Sequence, residues 1–355
     1  MTNTIWATSV LAGLMGTLAV PAQQTPKQAL LVLSKQDRTL AIVDPATLTV
    51  LTKVPVGEDP HEVIASSDGT TAYVSNYGSG TLHSLAVVDL VHRTPEPSIE
   101  LGALRGPHGL TFVQGETWFT AEGAKAFGRY DPQAHKVDLI LGTGQNRTHM
   151  IWVSPDAQHI VTTNVTSGTV SLWDREEMKV GPPPVGPGGP PPPPAGAGPG
   201  AAPPMEVRKD WNQTVIKVGN GSEGFDVSPD GREIWVANAG DGTISVLDMA
   251  AKKVVATLHP DVPGANRLKF TPDGKHVLVS AEGIVVLDAA TRKVIQRIAT
   301  GDGAGGIVMS PDGKRAYASC SRTDYVAVID LQTLEMVGKV MAGAGPDGLA
   351  WAIQP

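Results

Sequence analysis

The sequence predicts an all-β protein: a seven-bladed β-propeller of four-stranded antiparallel blades, its ring closed by the C-terminal strand joining the N-terminal strands. Three observations carry this. One short paragraph of sequence recurs seven times, the seventh copy split between residues 347–355 and 29–44. Matching positions fall at residues 61, 108, 149, 223, 266, 305 and 347, a period of about 40 residues, which is the spacing of propeller blades. Each copy holds short apolar runs separated by Gly-rich turns instead of one long helical period.

In chain order, the first element is the apolar, small-residue run IWATSVLAGLMGTLAV at residues 5–20. Val20 and Ala22 stand at the −3 and −1 positions of a cut after Ala22, so residues 1–22 read as a secretory signal peptide and the protein as periplasmic or secreted. The first basic residue is Lys27. The run is too short for a comfortable membrane-spanning helix, and no cysteine follows it to carry a lipid. The propeller then occupies residues 28–355.

The clearest copy is EGFDVSPDGREIWVANAGDGTISVLD, residues 223–248. A short apolar strand leads into Ser-Pro-Asp-Gly, where Asp bonds its own backbone and Gly accepts positive φ. A second strand, Glu233 to Ala237, is β-branched and aromatic. A polar link follows, then a third strand ending in Asp248, then a fourth, Val254 to Leu258. Residues 61–89, 149–174, 266–288 and 305–330 repeat this, and 108–131 is a degenerate copy. One interval, from 149 to 223, is long because GPPPVGPGGPPPPPAGAGPGAAPP intervenes at residues 181–204. A Pro/Gly tract cannot bury a core and favours extended polyproline conformations. It is expected as a disordered insertion between third and fourth strands, or as a docking segment for a proline-recognising partner.

The chain has 355 residues, 41% hydrophobic, with formal net charge −7. No basic patch is visible, which argues against a nucleic-acid partner. The partners expected are a small-molecule ligand or a protein, with no transmembrane segment in the mature chain and a monomeric state. The single cysteine, Cys320, cannot form an internal disulfide and reads as a small buried residue.

The Tyr73-Val74-Ser75-Asn76 and Trp235-Val236-Ala237-Asn238 strands, the Ser-Pro-Asp-Gly turns and the Gly-Thr-Ile-Ser-Val-Leu-Asp third strand resemble the YVTN-type, YncE-like seven-bladed propellers. That resemblance implies an exported protein within a superfamily that includes lactonases, lyases, metal- or haem-associated propellers and pure binding scaffolds. It does not imply one activity, because sites are grafted onto folds.

The polar, varied positions of the repeat are predicted to line one mouth of the central channel. The innermost strands contribute His61, His108, His149, Glu223, Asn266, Gly305 and Asp347; the second strands contribute Ser34, Asn76, Glu122, Asn164, Asn238, Glu282 and Cys320. Three histidines in register with Glu223 in the next blade suit a divalent transition metal, Zn, Cu, Fe or Mn, with Glu223 as fourth ligand or base. Inheritance of a structural Pro-His-Gly by duplication is the competing reading. Glu122, Glu223 and Glu282 are the candidate acid–base residues: crowded carboxylates raise a pKa. Pairing of Glu122 and Glu282 with Arg147 or Arg267 would instead keep them ionised. Asn76, Asn164, Asn238, Asn266, Asp347, Arg147 and Arg267 are candidate ligand-binding residues, although asparagines at strand ends also cap turns. The expected function is small-ligand binding, with a metal-dependent hydrolase, lactonase or lyase as the enzyme reading. The alternatives are a non-catalytic interaction scaffold, or a tetrapyrrole-binding propeller with a channel histidine as axial ligand.

Overall fold

Seven four-stranded antiparallel sheets make up the molecule, seen in a computed structural model that describes residues 1, 26–180, 206–301 and 303–354. The N-terminal apolar run and the Pro/Gly tract at 181–204 lie outside the described residues. Among the described residues no helix is long and apolar enough to cross a membrane. Blade 1 is composite: the innermost strand Pro346–Ile353 pairs with Gln28–Ser34, followed by Thr39–Asp44 and Thr49–Pro55. Blades 2 to 7 follow in chain order, with innermost strands Pro60–Ala65, Pro107–Val113, Thr148–Val153, Ser222–Val227, Leu268–Phe270 and Ile307–Met309. Pairing the two ends of the chain closes the ring and leaves no open edge at the junction.

Burial explains the strand sequences. Second strands are buried on both faces, so they read as continuous apolar runs: Ile234, Trp235, Val236 and Ala237 are all 0% exposed. Fourth strands have one wet face, and Lys136–Gly142 alternates exposed and half-buried residues accordingly. The apolar clusters sit between neighbouring blades. One joins the second and third strands of blade 5 to Leu268, Phe270, Val277 and Val279 of blade 6.

The turns repeat as closely as the strands. In the Ser-Pro-Asp-Gly turn the hydroxyl donates to the aspartate, as Ser228 does to Asp230 at 2.6 Å and Ser310 to Asp312 at 2.6 Å. Blade 3 lacks that motif and uses Gln114-Gly115, both at positive φ, as a two-residue hairpin turn. The aspartate ending each third strand caps the turn after it: Asp248 accepts from Ala251 N at 2.7 Å, Asp330 from Gln332 N at 2.9 Å. Blade 4 departs from this. Its third strand continues to Val180 and its fourth resumes at Glu206, in register throughout, so the tract at 181–204 enters between third and fourth strands. Asp174, released from turn duty, hydrogen-bonds His159 through Oδ1 and ion-pairs with Lys252 through Oδ2, each at 2.6 Å.

The first-to-second strand pairing has one recurrent irregularity. In blades 1 to 5, two residues of the innermost strand oppose one residue of the second strand, a β-bulge. The bulged pairs are Asp347-Gly348, His61-Glu62, His108-Gly109, His149-Met150 and Glu223-Gly224. In blades 2 to 4 the opposing residue carries a hydroxyl, Ser75, Thr120 or Thr163, that bonds the backbone there. Thr120 accepts from Gly109 N at 2.9 Å and donates to His149 O of the next blade at 2.6 Å; Thr163 donates to Glu223 O at 2.7 Å. Bulges re-aim side chains, and these five lift the polar residues out of the ladder at one channel mouth.

Candidate functional site

The centre of the mouth is His149. It is 3% exposed, and its two ring nitrogens face carboxylates from the blades on either side. Nδ1 makes a short contact to Glu122 of blade 3. Nε2 lies 2.7 Å from Glu223 of blade 5, an ion-pair distance that is out of line for a hydrogen bond. Burial alone would lower the His149 pKa, but the two carboxylates outweigh it and raise the pKa above 6.5, so the ring holds a proton. The reciprocal holds for the acids. Burial works to raise Glu223, yet His149, Arg267 and Arg147 push it down to about 2; Glu122 is likewise lowered by His149, Tyr77 and Arg147 against its burial.

Three groups surround this triad. Tyr77 donates its hydroxyl to Glu122 Oε2 at 2.5 Å, and burial followed by that bond raises its pKa. Arg147, 44% exposed and held at φ 55°, places Nε 3.4 Å from Glu122 and Nη1 3.9 Å from Glu223. His108 packs its ring on His149, centroids 3.8 Å apart. Its Nδ1 is buried with no hydrogen-bond partner, and burial with nearby positive groups holds its pKa well below 6.5, so it is neutral. One nitrogen or oxygen from each of His108, Glu122 and His149 lies within 4.8 Å of the other two. An imidazole with a free buried nitrogen beside a second imidazole and a carboxylate is a donor set that divalent transition metals accept.

His61 lies beside this group with contacts of its own. Its ring is 5.0 Å from that of His108, but Lys35 Nζ sits 2.7 Å from its Nε2, and its Nδ1 faces the Asp59 carbonyl at 3.3 Å. Both nitrogens are engaged, and the close donor group is His108, Glu122 and His149. Lys35 also approaches Asp347 at 3.4 Å and Asp59 at 3.6 Å. Burial raises the Asp347 carboxyl, Lys35 offsets this and Glu62 adds to it. Arg267 of blade 6 reaches Glu62 of blade 2, three blades away around the ring, in a short ion pair. Arg267 Nη1 also donates to Asn266 Oδ1 at 2.9 Å.

The remaining predicted residues are placed apart. Asn76 donates to the carbonyls of Val56 and Glu58 at 2.8 and 3.0 Å. Asn164 bonds Thr169 and Ser171, and Asn238 bonds Thr243 and Ser245, within their own blades. These amide nitrogens cap strand links and are not aimed at the channel. Cys320 is buried. Glu282 is exposed in the turn before Ile284 and lines a shallow groove with Asp261, Pro263 and Arg297, away from the histidines. The ladder shows why the second set was uneven. Asn76, Ala121 and Asn164 end their strands in equivalent register, and Tyr77 and Glu122 stand one residue beyond. Lys35 follows Ser34 in the same way. Lys35, Tyr77 and Glu62 were missed; the signal available was a polar or aromatic residue one step past positions already singled out.

Comparison with known proteins agrees with this architecture. Residues 205–315 match the family model described as a YNCE-like beta-propeller, so the YncE-like, seven-bladed resemblance stands. A curated relative, Antigen Lp49 of Leptospira interrogans serogroup Icterohaemorrhagiae serovar copenhageni (strain Fiocruz L1-130), is 27% identical over 147 residues. That match covers 38% of this chain and 30% of the relative, so the chain spans under a third of that protein's length. Among solved structures, a functionally unknown protein from Desulfotomaculum acetoxidans DSM 771 superposes with TM-score 0.67 at 14% identity, covering 90% of this chain and 98% of that one. Kuenenia stuttgartiensis Hydrazine Synthase gives 0.62 at 17%, covering 82% and 89%. A Bacteroides uniformis ATCC 8492 protein, provisionally titled a 6-phosphogluconolactonase, gives 0.66 at 13%, covering 91% and 99%. At such identities the likeness is one of fold.

Proposed function

We propose that this YncE-like propeller binds a small ligand at the channel mouth, with a divalent transition metal held by His108, Glu122 and His149. The observation that carries this is the gathering of one donor atom each from His108, Glu122 and His149 within 4.8 Å of one another, at a histidine whose Nδ1 is buried without a hydrogen-bond partner. A buried polar atom without a partner costs free energy of roughly 1–3 kcal/mol, which a bound cation would remove. When bound, the metal would supply Lewis acidity toward a carbonyl or a bound water of lowered pKa. Zn, Cu, Fe and Mn all fit the donor types.

The chain's own residues have separable roles. Glu223, the proposed fourth ligand or base, faces His149 Nε2 at 2.7 Å; metal binding would displace the His149 proton to solvent and, by removing the positive charge that holds Glu223 down, would let its pKa rise toward a useful base. Tyr77 fixes the orientation of Glu122. Arg147, half-exposed at the rim, presents a guanidinium to an anionic or carbonyl oxygen of the incoming ligand. Arg267 and Glu62 close the floor. With a base beside a metal, hydrolysis or lyase chemistry on a small ester or lactone is the enzyme reading; the fold shared with a provisionally titled lactonase supports it only by analogy. Export to the periplasm or beyond, resting on residues 1–22, belongs to the same proposal.

Metal quantification by mass spectrometry on protein purified without chelator tests this. Near-stoichiometric metal in the wild type, lost in His108→Ala and His149→Ala, is the expected result. No metal after reconstitution with Zn, Cu, Fe or Mn would overturn it. A second reading, a non-catalytic scaffold, is favoured by one observation: Glu122–His149–Glu223 and Glu62–Arg267 are ion pairs that tie separate blades together. Under that reading the histidine variants lose stability and no bound ligand. Absorbance of the purified protein separates the tetrapyrrole alternative.

A further inference from the structure

The position two residues before each innermost-strand channel residue has a fixed character. It is glycine in five of the seven copies, at 106, 221, 264, 303 and 345; the exceptions are Asp59 and Arg147. All of these positions except 303 have positive φ, 44° at Asp59 and 55° at Arg147. Glycine takes that conformation without steric cost and aspartate takes it with local hydrogen bonds, but arginine has no such compensation. Asp59 is accounted for by its contacts: Oδ2 accepts from Ser79 N at 3.3 Å and Oδ1 lies 3.6 Å from Lys35. The neighbours of Arg147 do not account for it in this way. Glu122 has closer partners on both oxygens, His149 on Oε1 and Tyr77 on Oε2 at 2.5 Å, and Glu223 has His149 at 2.7 Å. Arg147 stands farther off, 3.4 Å from Glu122 and 3.9 Å from Glu223, and is 44% exposed where Arg267 is 10% exposed. Ion pairs that long and that wet contribute little to stability, so a strained backbone holds a guanidinium that the fold does not require.

We propose that Arg147 selects the ligand of this mouth, and that the ligand is a small carboxylate monoanion with a hydroxyl on the adjacent carbon. The hydroxyl rests on the metal site proposed above; the carboxylate does not. A planar guanidinium edge takes both oxygens of a carboxylate in parallel hydrogen bonds, which an ammonium cannot do. Charge sets the number of anions. A divalent cation held by His108, Glu122 and His149 would balance the carboxylates of Glu122 and Glu223, which leaves the Arg147 charge for one ligand anion. Position sets the hydroxyl. Glu122 faces both His149 and Arg147, so a carboxylate on the guanidinium stands beside the donor group, and the 2-hydroxyl is the oxygen that would meet a cation there.

Glycolate is titrated by calorimetry into the wild type, Arg147→Gly and Arg147→Lys. Glycolamide serves as its uncharged counterpart and inorganic phosphate as the other oxyanion, and bound metal and the urea midpoint are measured on the same samples. The wild type should bind glycolate about tenfold or more tighter than glycolamide or phosphate. Arg147→Gly should lose that preference with a urea midpoint no lower than wild type, because it restores the residue that most copies use. Arg147→Lys should recover only part of the preference. Equal discrimination in the wild type and Arg147→Gly overturns the proposal. So does an Arg147→Gly variant that fails to fold or loses stability, since the guanidinium would then be structural. Tighter binding of phosphate overturns the carboxylate assignment. A metal-free wild type that still discriminates through Arg147 counts against the His108 metal site alone; a wild type that does not discriminate counts against this proposal whatever its metal content.

Discussion

His108 and His149 touch, yet their environments push them to opposite protonation states. One has carboxylates on both nitrogens; the other has a free nitrogen and positive neighbours. Replacing His108 with Leu should therefore change stability by less than about 1 kcal/mol, since it removes an unsatisfied polar group along with its packing, while abolishing metal uptake; urea denaturation and metal analysis read the two effects separately. The charged pair also sets a pH dependence in the metal-free protein. His149 is raised above 6.5, so its contribution is complete below that value and is lost as pH rises through its folded pKa. Glu223 is lowered from 4.5 to about 2, so its contribution is complete above 4.5 and fades as pH falls toward 2. The pair's contribution in chelator, read as the difference in thermal stability between the wild type and a variant lacking both groups, should be full between about 4.5 and 6.5 and decline on both sides. A His149→Gln, Glu223→Gln double variant should show a flatter profile, and an unchanged profile would mean that the pair does not govern it.

The bulged innermost strand is the element that turns a repeat into a site. Two residues opposite one send the first side chain to the channel and leave the second against the next blade. Glycine at that second position has a packing cause: a Cβ on Gly109 would stand 2.6 Å from His149 O, and one on Gly348 2.4 Å from His61 O. Gly109→Ala should cost about 1–3 kcal/mol through forced separation of the strands, and should weaken metal binding because it displaces the strand that carries His149. Chemical denaturation and Co2+ titration of the variant measure both; wild-type values in each would show that the close approach is dispensable. Glycine is absent from the second position in blades 2 and 4, which hold Glu62 and Met150, and Glu62 there carries the ion pair to Arg267.

For the whole molecule, that pair joins blades that are not neighbours in the ring, through residues 205 positions apart. Both side chains are mostly buried, 10% and 14% exposed, so breaking the pair strands a charge. Arg267→Met or Glu62→Leu alone should each destabilise by about 3–5 kcal/mol, and the double variant by clearly less than their sum. Additive losses in the cycle, measured by denaturant unfolding, would show that the pair does not couple the two sides of the propeller.

The sequence by itself determined the blade. A repeat of about 40 residues with Asp-Gly turns, buried second strands and Asp-terminated third strands encodes local pairing, which specifies six of the sheets, and the division of the seventh copy between the two ends implies the closing blade. It also marked which positions differ among copies, which is why His61, His108, His149, Glu122, Glu223 and Asp347 were all legible. Which of these residues meet was decided by the tertiary structure. Distances across the channel depend on how seven sheets close, on the bulge that swings each innermost residue, and on a one-residue step at the second strand's end that periodicity does not resolve. So Lys35 on His61, Arg267 on Glu62 and the enclosure of His149 between Glu122 and Glu223 became visible only with the ring assembled, because each joins residues that no local pattern relates.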